Sequence, residues 1–308
     1  MNTQVQAAVD TWANSLSDLV PVLKGIDTTT QMSDIRDAYA RMLAQNPAPA
    51  GVTFAALDMG GVPGTLVTPD ELKTDAVLMY IHGGAYIVGR PDGYHGIGGN
   101  YAKMLGARVY MPDYRLAPEH PFPAPINDTL RAYEWLLEQD IPAHNIAFAG
   151  ESAGGAMVVS VMVAAKSKGL PLPAVGSAIS PWANLEHSGA SMSNREGLDP
   201  LNSKAVLDIL ARAFLGNTLA NHPLASPVFA DVTGLPAILV QIGENELMLS
   251  DAMRLATHLA DNRVRVNLEV WPAMFHAWHF YAGMLAEGQQ AMESSVRFIE
   301  AGWLQANR

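Results

Sequence analysis

A chain of 308 residues, 49% apolar and only 16% charged, has enough apolar surface for a large buried core, which excludes a disordered polymer. With 19 basic residues against 30 acidic ones the net charge is −11, and the basic residues are scattered, so the electrostatic footprint of a nucleic-acid binder is missing. Cysteine is absent, which excludes disulfides, thiolate nucleophiles and Cys-ligated metal centres.

The first twenty residues have neither a basic start nor an apolar centre. Apolar stretches such as Ala76–Ile81 and Met157–Ala165 fall far short of a membrane span. A soluble, cytoplasmic protein with no membrane partner is expected. Residues 1–45 carry apolar side chains at helical spacing, through Val5, Val9, Trp12 and Leu16 and then Ile35, Ala38 and Leu43. Pro47 and Pro49 close that segment. Short apolar runs then alternate with longer helical patterns. Ala76–Ile81, Arg108–Met111, Ile146–Ala149, Ala237–Ile242 and Val266–Val270 predict buried strands. Between them, Gly99–Leu105, Ile126–Gln139, Ala153–Lys168 and Ser250–Asp261 predict helices, and a last helix carries Met292, Val296, Ile299 and Trp303 on one face. This alternation predicts an α/β fold, a mostly parallel sheet with helices on both faces. Residues 187–225 interrupt it with a polar loop and a helix over Ser203–Leu215, and so look like an insertion.

The strongest motif is Gly150-Glu151-Ser152-Ala153-Gly154, which follows the strand candidate IAFAG and opens a helix of small residues. A serine in that context sits on a sharp strand-to-helix turn with its hydroxyl above the sheet edge, and the flanking glycines give the turn room. The helix N-terminus adds N–H groups where negative charge develops. The second motif is His82-Gly83-Gly84-Ala85, directly after the strand AVLMYI. Its backbone N–H groups at Gly83 and Gly84, with that of Ala153, are the predicted donors to the oxyanion of a tetrahedral intermediate. The competing reading of the loop is a tight turn in which His82 only bonds neighbouring backbone.

A serine nucleophile needs a base, and the base needs an orienting carboxylate. His276, after the strand VNLEVW and the short loop Pro272–Phe275, is the candidate base, with His279 as runner-up. The acid is expected in the loop after AILVQIG. There Glu246 is the candidate, and Asp251 is read as capping the following helix or bracing the loop. No Gly-Lys pair, G-x-G-x-x-G or H-E-x-x-H occurs, so no phosphate loop, dinucleotide fingerprint or metal site is predicted, and no cofactor.

HGGAY, then DYRLAPEHPFPA (Asp113–Ala124), GESAGG, a Gly-x-x-Glu-x-Leu loop and FHAW occur in that order. From about residue 50 onward the chain resembles the bacterial branch of the hormone-sensitive-lipase-like carboxylesterases. The resemblance implies an α/β-hydrolase fold, cofactor-free cleavage of a small-molecule ester, and a helical cap made by the N-terminus plus an insertion after the sixth strand. It also implies Ser152 as nucleophile, Glu246 as acid, His276 as base, and Gly83, Gly84 and Ala153 as oxyanion donors. The corresponding division is 1–45 cap helices, 46–186 and 226–308 catalytic core, and 187–225 cap insertion. Tyr86, Trp182, Phe214, Leu215 and Met248 are the expected substrate-pocket residues. Short- to medium-chain esters are the expected substrates, and a homodimer is compatible with the family. Three positions depart from the family pattern. Ala85 replaces a glycine, Glu246 stands where aspartate is frequent, and Glu151 stands where aspartate or threonine is commoner. Ser180–Pro200 also resembles lactone-hydrolysing members, which leaves lactones as an alternative substrate class. A non-catalytic binding protein on this fold would be expected to lose one of the motif positions, and here each is filled.

Overall fold

Every residue of Val77–Ile81 and of Ile146–Glu151 is buried, the pattern of strands covered on both faces. In the computed structural model, which describes residues 3–306, these strands pair at the centre of an eight-stranded sheet. Residues 1–2 of the expected cap segment and 307–308 of the expected core lie outside the described residues. The strands are β1 (Val52–Asp58), β2 (Pro63–Pro69), β3 (Val77–Ile81), β4 (Arg108–Pro112), β5 (Ile146–Glu151), β6 (Val175–Ile179), β7 (Ala237–Gly243) and β8 (Val266–Trp271). They lie in the order β1-β2-β4-β3-β5-β6-β7-β8. The β1–β2 and β2–β4 pairs are antiparallel, and all pairs from β4–β3 to β7–β8 are parallel.

The helices are α1 (Thr3–Ser15), α2 (Leu19–Leu23), α3 (Met32–Leu43), α4 (His95–Leu105), α5 (Ala124–Glu138), α6 (Ala153–Ser167), α7 (Ser191–Asn194), α8 (Lys204–Leu215), α9 (Leu249–Asp261) and α10 (Ala286–Ala306). On the sheet, α4 packs with α10, α5 packs with α6, and α9 lies against β7 and β8.

The expected α/β architecture is present, with three strands that the sequence pattern did not single out. β1 and β2 form the antiparallel edge, where β1 is half exposed and rich in alanine and β2 contains proline and glycine. β6, VGSAI, lacks the bulk that marks a strand because its neighbours come close. A Cβ on Gly176 would sit 2.7 Å from Val158 and 2.8 Å from Ile238.

The connection from β3 runs to β4 on one side, and the chain then returns to β5 on the other side of β3. Ligands of open α/β sheets bind in the crevice that such a reversal leaves at the carboxyl ends of the strands. His82–Ala85 leaves β3 and Ser152 leaves β5 at that crevice. Above it, Trp12 of α1 packs edge-on against Phe280 at 5.5 Å and beside Tyr39 of α3. Arg36 of α3 donates to the carbonyls of Ile87 and Ala117 at 2.9 Å and pairs with Glu119. α2 packs on α8, whose stripe of Leu207, Leu210, Ala211, Phe214 and Leu215 faces inward at helical spacing. Ser203 caps α8 by accepting from the Val206 N–H at 3.3 Å.

Candidate active site

β5 ends at Glu151 and α6 begins at Ala153, so Ser152 alone makes the turn. It does so at φ 56° and ψ −120°, a backbone state that non-glycine residues rarely adopt. Its carbonyl accepts from the N–H of Ala156 and of Trp182, both at 3.0 Å, and its N–H reaches Ile179 O at 2.9 Å. The glycines around it are obligatory. A Cβ on Gly154 would collide with the Ile81 carbonyl oxygen, and one on Gly150 would lie 2.6 Å from the same atom.

His276 and Glu246 meet across two loops, with Nδ1 of the imidazole 2.8 Å from Oε2 of the carboxylate. Oε1 of Glu246 accepts from the Gly243 N–H and the Ser180 hydroxyl, each at 2.7 Å. Both residues are buried. Burial disfavours a proton on His276, but the bond to Glu246 and the negative charge of that carboxylate outweigh it, so its pKa lies above the ordinary 6.5. With Nδ1–H donated to Glu246, Nε2 carries the lone pair.

His279 points elsewhere. Its Nε2 lies 2.9 Å from Gln241 Oε1, and burial pushes its pKa down to about 3, so it is neutral and held by the sheet. Asp251 accepts from Asn184 at 2.9 Å, so it braces the 184–188 loop rather than capping α9, whose N-cap is Met248. His82 also has a bracing role. Its Nδ1 bonds the Gly83 carbonyl at 2.8 Å, its ring stacks on Tyr114 at 4.1 Å, and burial lowers its pKa to about 4.

Ser152 and His276 open onto one cavity of about 60 Å³, whose apolar walls include Trp12, Leu16, Leu19, Val88, Leu201 and Leu210. Gly84 and Ala85 also line it. Among the described residues, no protein acceptor meets the backbone N–H groups of Gly84, Ala85 or Ala153. Gly83 differs from the expectation. Its N–H donates to Glu151 Oε1 at 2.7 Å, which turns it away from the cavity and leaves Ala85 as the second loop residue with an available N–H.

The expected pocket residues are also placed differently. Tyr86 stacks on Phe214 at 3.7 Å and on Trp182 at 6.0 Å, and the three form a buried aromatic cluster that does not line the cavity. Leu215 and Met248 are buried without lining it. Aromatic rings near the motifs thus satisfied one another, while α1, α2 and α8 supplied the walls. Sequence reasoning missed Ser180, whose hydroxyl joins Glu246 to the Ala277 N–H. No local signal marks it, since its partners lie 66 and 97 residues away.

A strand-to-helix serine turn at the sheet reversal, with a carboxylate–imidazole pair beside it, defines a hydrolase site of the α/β class. The profile of the family described as alpha/beta hydrolase fold matches residues 78–280. The chain is 38% identical to an acetyl-hydrolase of Streptomyces hygroscopicus over 79% of this chain and 84% of that protein. It is 27% identical to an esterase of Acinetobacter venetianus over 86% of each. It superposes on a solved esterase of the bacterial hormone-sensitive lipase family with a TM-score of 0.89, 35% identity and 99% coverage of both chains. The chain belongs to the α/β-hydrolase family, in its bacterial hormone-sensitive-lipase-like branch, and is a carboxylic ester hydrolase. Among the described residues, no helix is long and apolar enough to cross a membrane.

Proposed function

We propose that the chain cleaves short-chain carboxylic esters through an acyl-enzyme on Ser152. The observation that carries this reading is the Glu246–His276 bond of 2.8 Å beside a serine held at φ 56° on the same cavity. Ser152 Oγ attacks the ester carbonyl while His276 Nε2 takes its proton. The carbonyl oxygen, now an anion, is met by the free N–H groups of Gly84, Ala85 and Ala153 at the start of α6. His276 then returns the proton to the departing alkoxide, and water repeats the sequence on the acyl-enzyme. Glu246 keeps the proton on Nδ1, so that Nε2 stays a base throughout. In this reading α1–α3 and the 187–225 segment act as a cap over the crevice, which the contribution of Trp12, Leu16, Leu19 and Leu210 to the cavity supports.

A fluorophosphonate ester tests the assignment. It should label Ser152, and Ser152→Ala should lose turnover by about 10⁶ in kcat. Labelling elsewhere in the chain, or an alanine variant that still turns over, would overturn the reading.

A further inference from the structure

Glu151 immediately precedes Ser152, is 2% exposed and has no part in the steps above. Its carboxyl nevertheless holds two groups of the neighbouring strand and loop. Oε2 accepts the Tyr80 hydroxyl at 2.8 Å, and Oε1 accepts the Gly83 N–H at 2.7 Å. The pairing of β3 with β5 ends at Ile81 and Gly150, so beyond that point no ladder bond couples the two chains. The Glu151 side chain continues the coupling by hand, reaching from the residue before the serine to the second residue after β3. The fit is close, since a Cβ on Gly83 would strike Oε1 and lie 2.7 Å from the Glu151 carbonyl oxygen. Gly84 and Ala85 follow at φ 94° and 56°, both line the cavity, and among the described residues no protein acceptor meets their N–H groups.

We propose that Glu151 is a positioning residue for the oxyanion-binding loop, which by holding the Gly83 N–H sets the peptide groups of Gly84 and Ala85 against Ser152. The inference rests on the reading of Ser152 as nucleophile and of those N–H groups as its oxyanion donors. What the loop requires from position 151 is an acceptor rather than a charge. The Tyr80 hydroxyl touches the carboxyl directly, and Tyr39 of α3, Tyr94 before α4, Tyr101 of α4, Tyr114 after β4 and His276 lie near enough to feel its charge. Burial there pushes its pKa up to about 8, against the opposing pull of the Tyr80 and Gly83 bonds. Burial of this kind disfavours a full negative charge at position 151, beside the place where the oxyanion forms.

Glu151→Gln keeps an acceptor for the Gly83 N–H, whereas Glu151→Ala and the shape-matched Glu151→Met do not. Loss of a single oxyanion donor costs about 10²–10³ in kcat, and that is the fall expected for Ala and Met, with KM changed by less than about threefold. The Gln variant should lose less than about a tenth of that factor, and Tyr80→Phe, which leaves the Gly83 bond in place, should do the same. Affinity for a trifluoromethyl ketone, which forms a tetrahedral adduct on the serine, should fall in step with kcat/KM in Ala and Met. Thermal melts confirm folding, and Met retains the packing if Ala does not. Wild-type kcat in a folded Ala or Met variant, equal losses in Gln and Met, or unchanged ketone affinity would each overturn the inference. Ser152→Ala measured alongside separates the two claims. If it turns over, the nucleophile reading fails. If it is inactive while Glu151→Met is fully active, only the positioning role fails.

Discussion

Glu246 receives three donors at once, the His276 imidazole and the N–H of Gly243 and hydroxyl of Ser180, and has no exposed surface. A buried carboxylate must be satisfied in this way, and the same bonds fix its direction. In the proposed mechanism the fixed carboxylate selects the imidazole tautomer. Glu246→Gln should therefore cost about 10⁴ in kcat, the order found when an orienting carboxylate becomes an amide. Asp251→Asn should leave kcat nearly unchanged, because its side chain faces Asn184. The reverse ranking in folded variants would move the acid to Asp251. The acid limb of the kcat/KM profile gives a second check. Its base acts only when neutral, so activity is lost as pH falls through the His276 pKa, and carboxylate support sets that midpoint above 6.5. In Glu246→Gln the protonated imidazole loses its main support, and the midpoint should move to lower pH. A profile with its midpoint unmoved would separate Glu246 from the titrating base. Ser152 and His276 were legible because each lies in a short local pattern at a strand end. Ser180 and the turning away of Gly83 were not, since both depend on partners more than sixty residues distant.

At the level of elements, strand and helix periods placed the long pieces well. The helix expected over Ala153–Lys168 is α6 with Lys168 as its C-cap, and the insertion helix is α8 with Ser203 as its N-cap. β6 stayed hidden because close packing on α6 requires glycine, serine and alanine, residues that carry little strand signal. Periodicity in residues 1–45 gave helices but not what they cover. In the structure, Trp12 sits between Tyr39 and Phe280 and also walls the cavity, so one side chain both holds α1 down and limits the space beside Ser152. Trp12→Ala should lower stability by about 3–5 kcal/mol as a large-to-small core change. The same variant should gain relative kcat/KM on longer acyl chains, because the vacated volume adjoins the nucleophile. A melting temperature close to wild type, or an unaltered chain-length profile in the folded variant, would place Trp12 outside this role.

In the molecule as a whole, the cavity beside Ser152 is small and is walled by side chains drawn from distant segments of the chain. Of the large exposed apolar side chains among the described residues, Ile26, Leu72, Leu198, Leu219 and Leu304 come from separate segments of the chain, and Leu268 and Val270 stand two apart on the edge strand β8. Single exposed apolar residues are ordinary, whereas adsorption to a lipid surface calls for a contiguous patch. The cavity of about 60 Å³ is walled by side chains that include Trp12 of α1, Leu19 of α2, Tyr39 of α3 and Leu210 of α8. Each further stretch of acyl chain must displace such packing, at roughly 1–3 kcal/mol for an overpacked site. Small acyl groups escape this cost, while a palmitoyl chain meets it repeatedly. The expected profile of kcat/KM across acetate, butyrate, octanoate and palmitate esters of one alcohol is a maximum at the short end, within about eight acyl carbons, followed by a steep decline. The rate should also rise smoothly with substrate concentration through the solubility limit, with no jump as an emulsion forms. A maximum at palmitate, or activation at the oil–water interface, would show that the volume of this cavity does not set specificity.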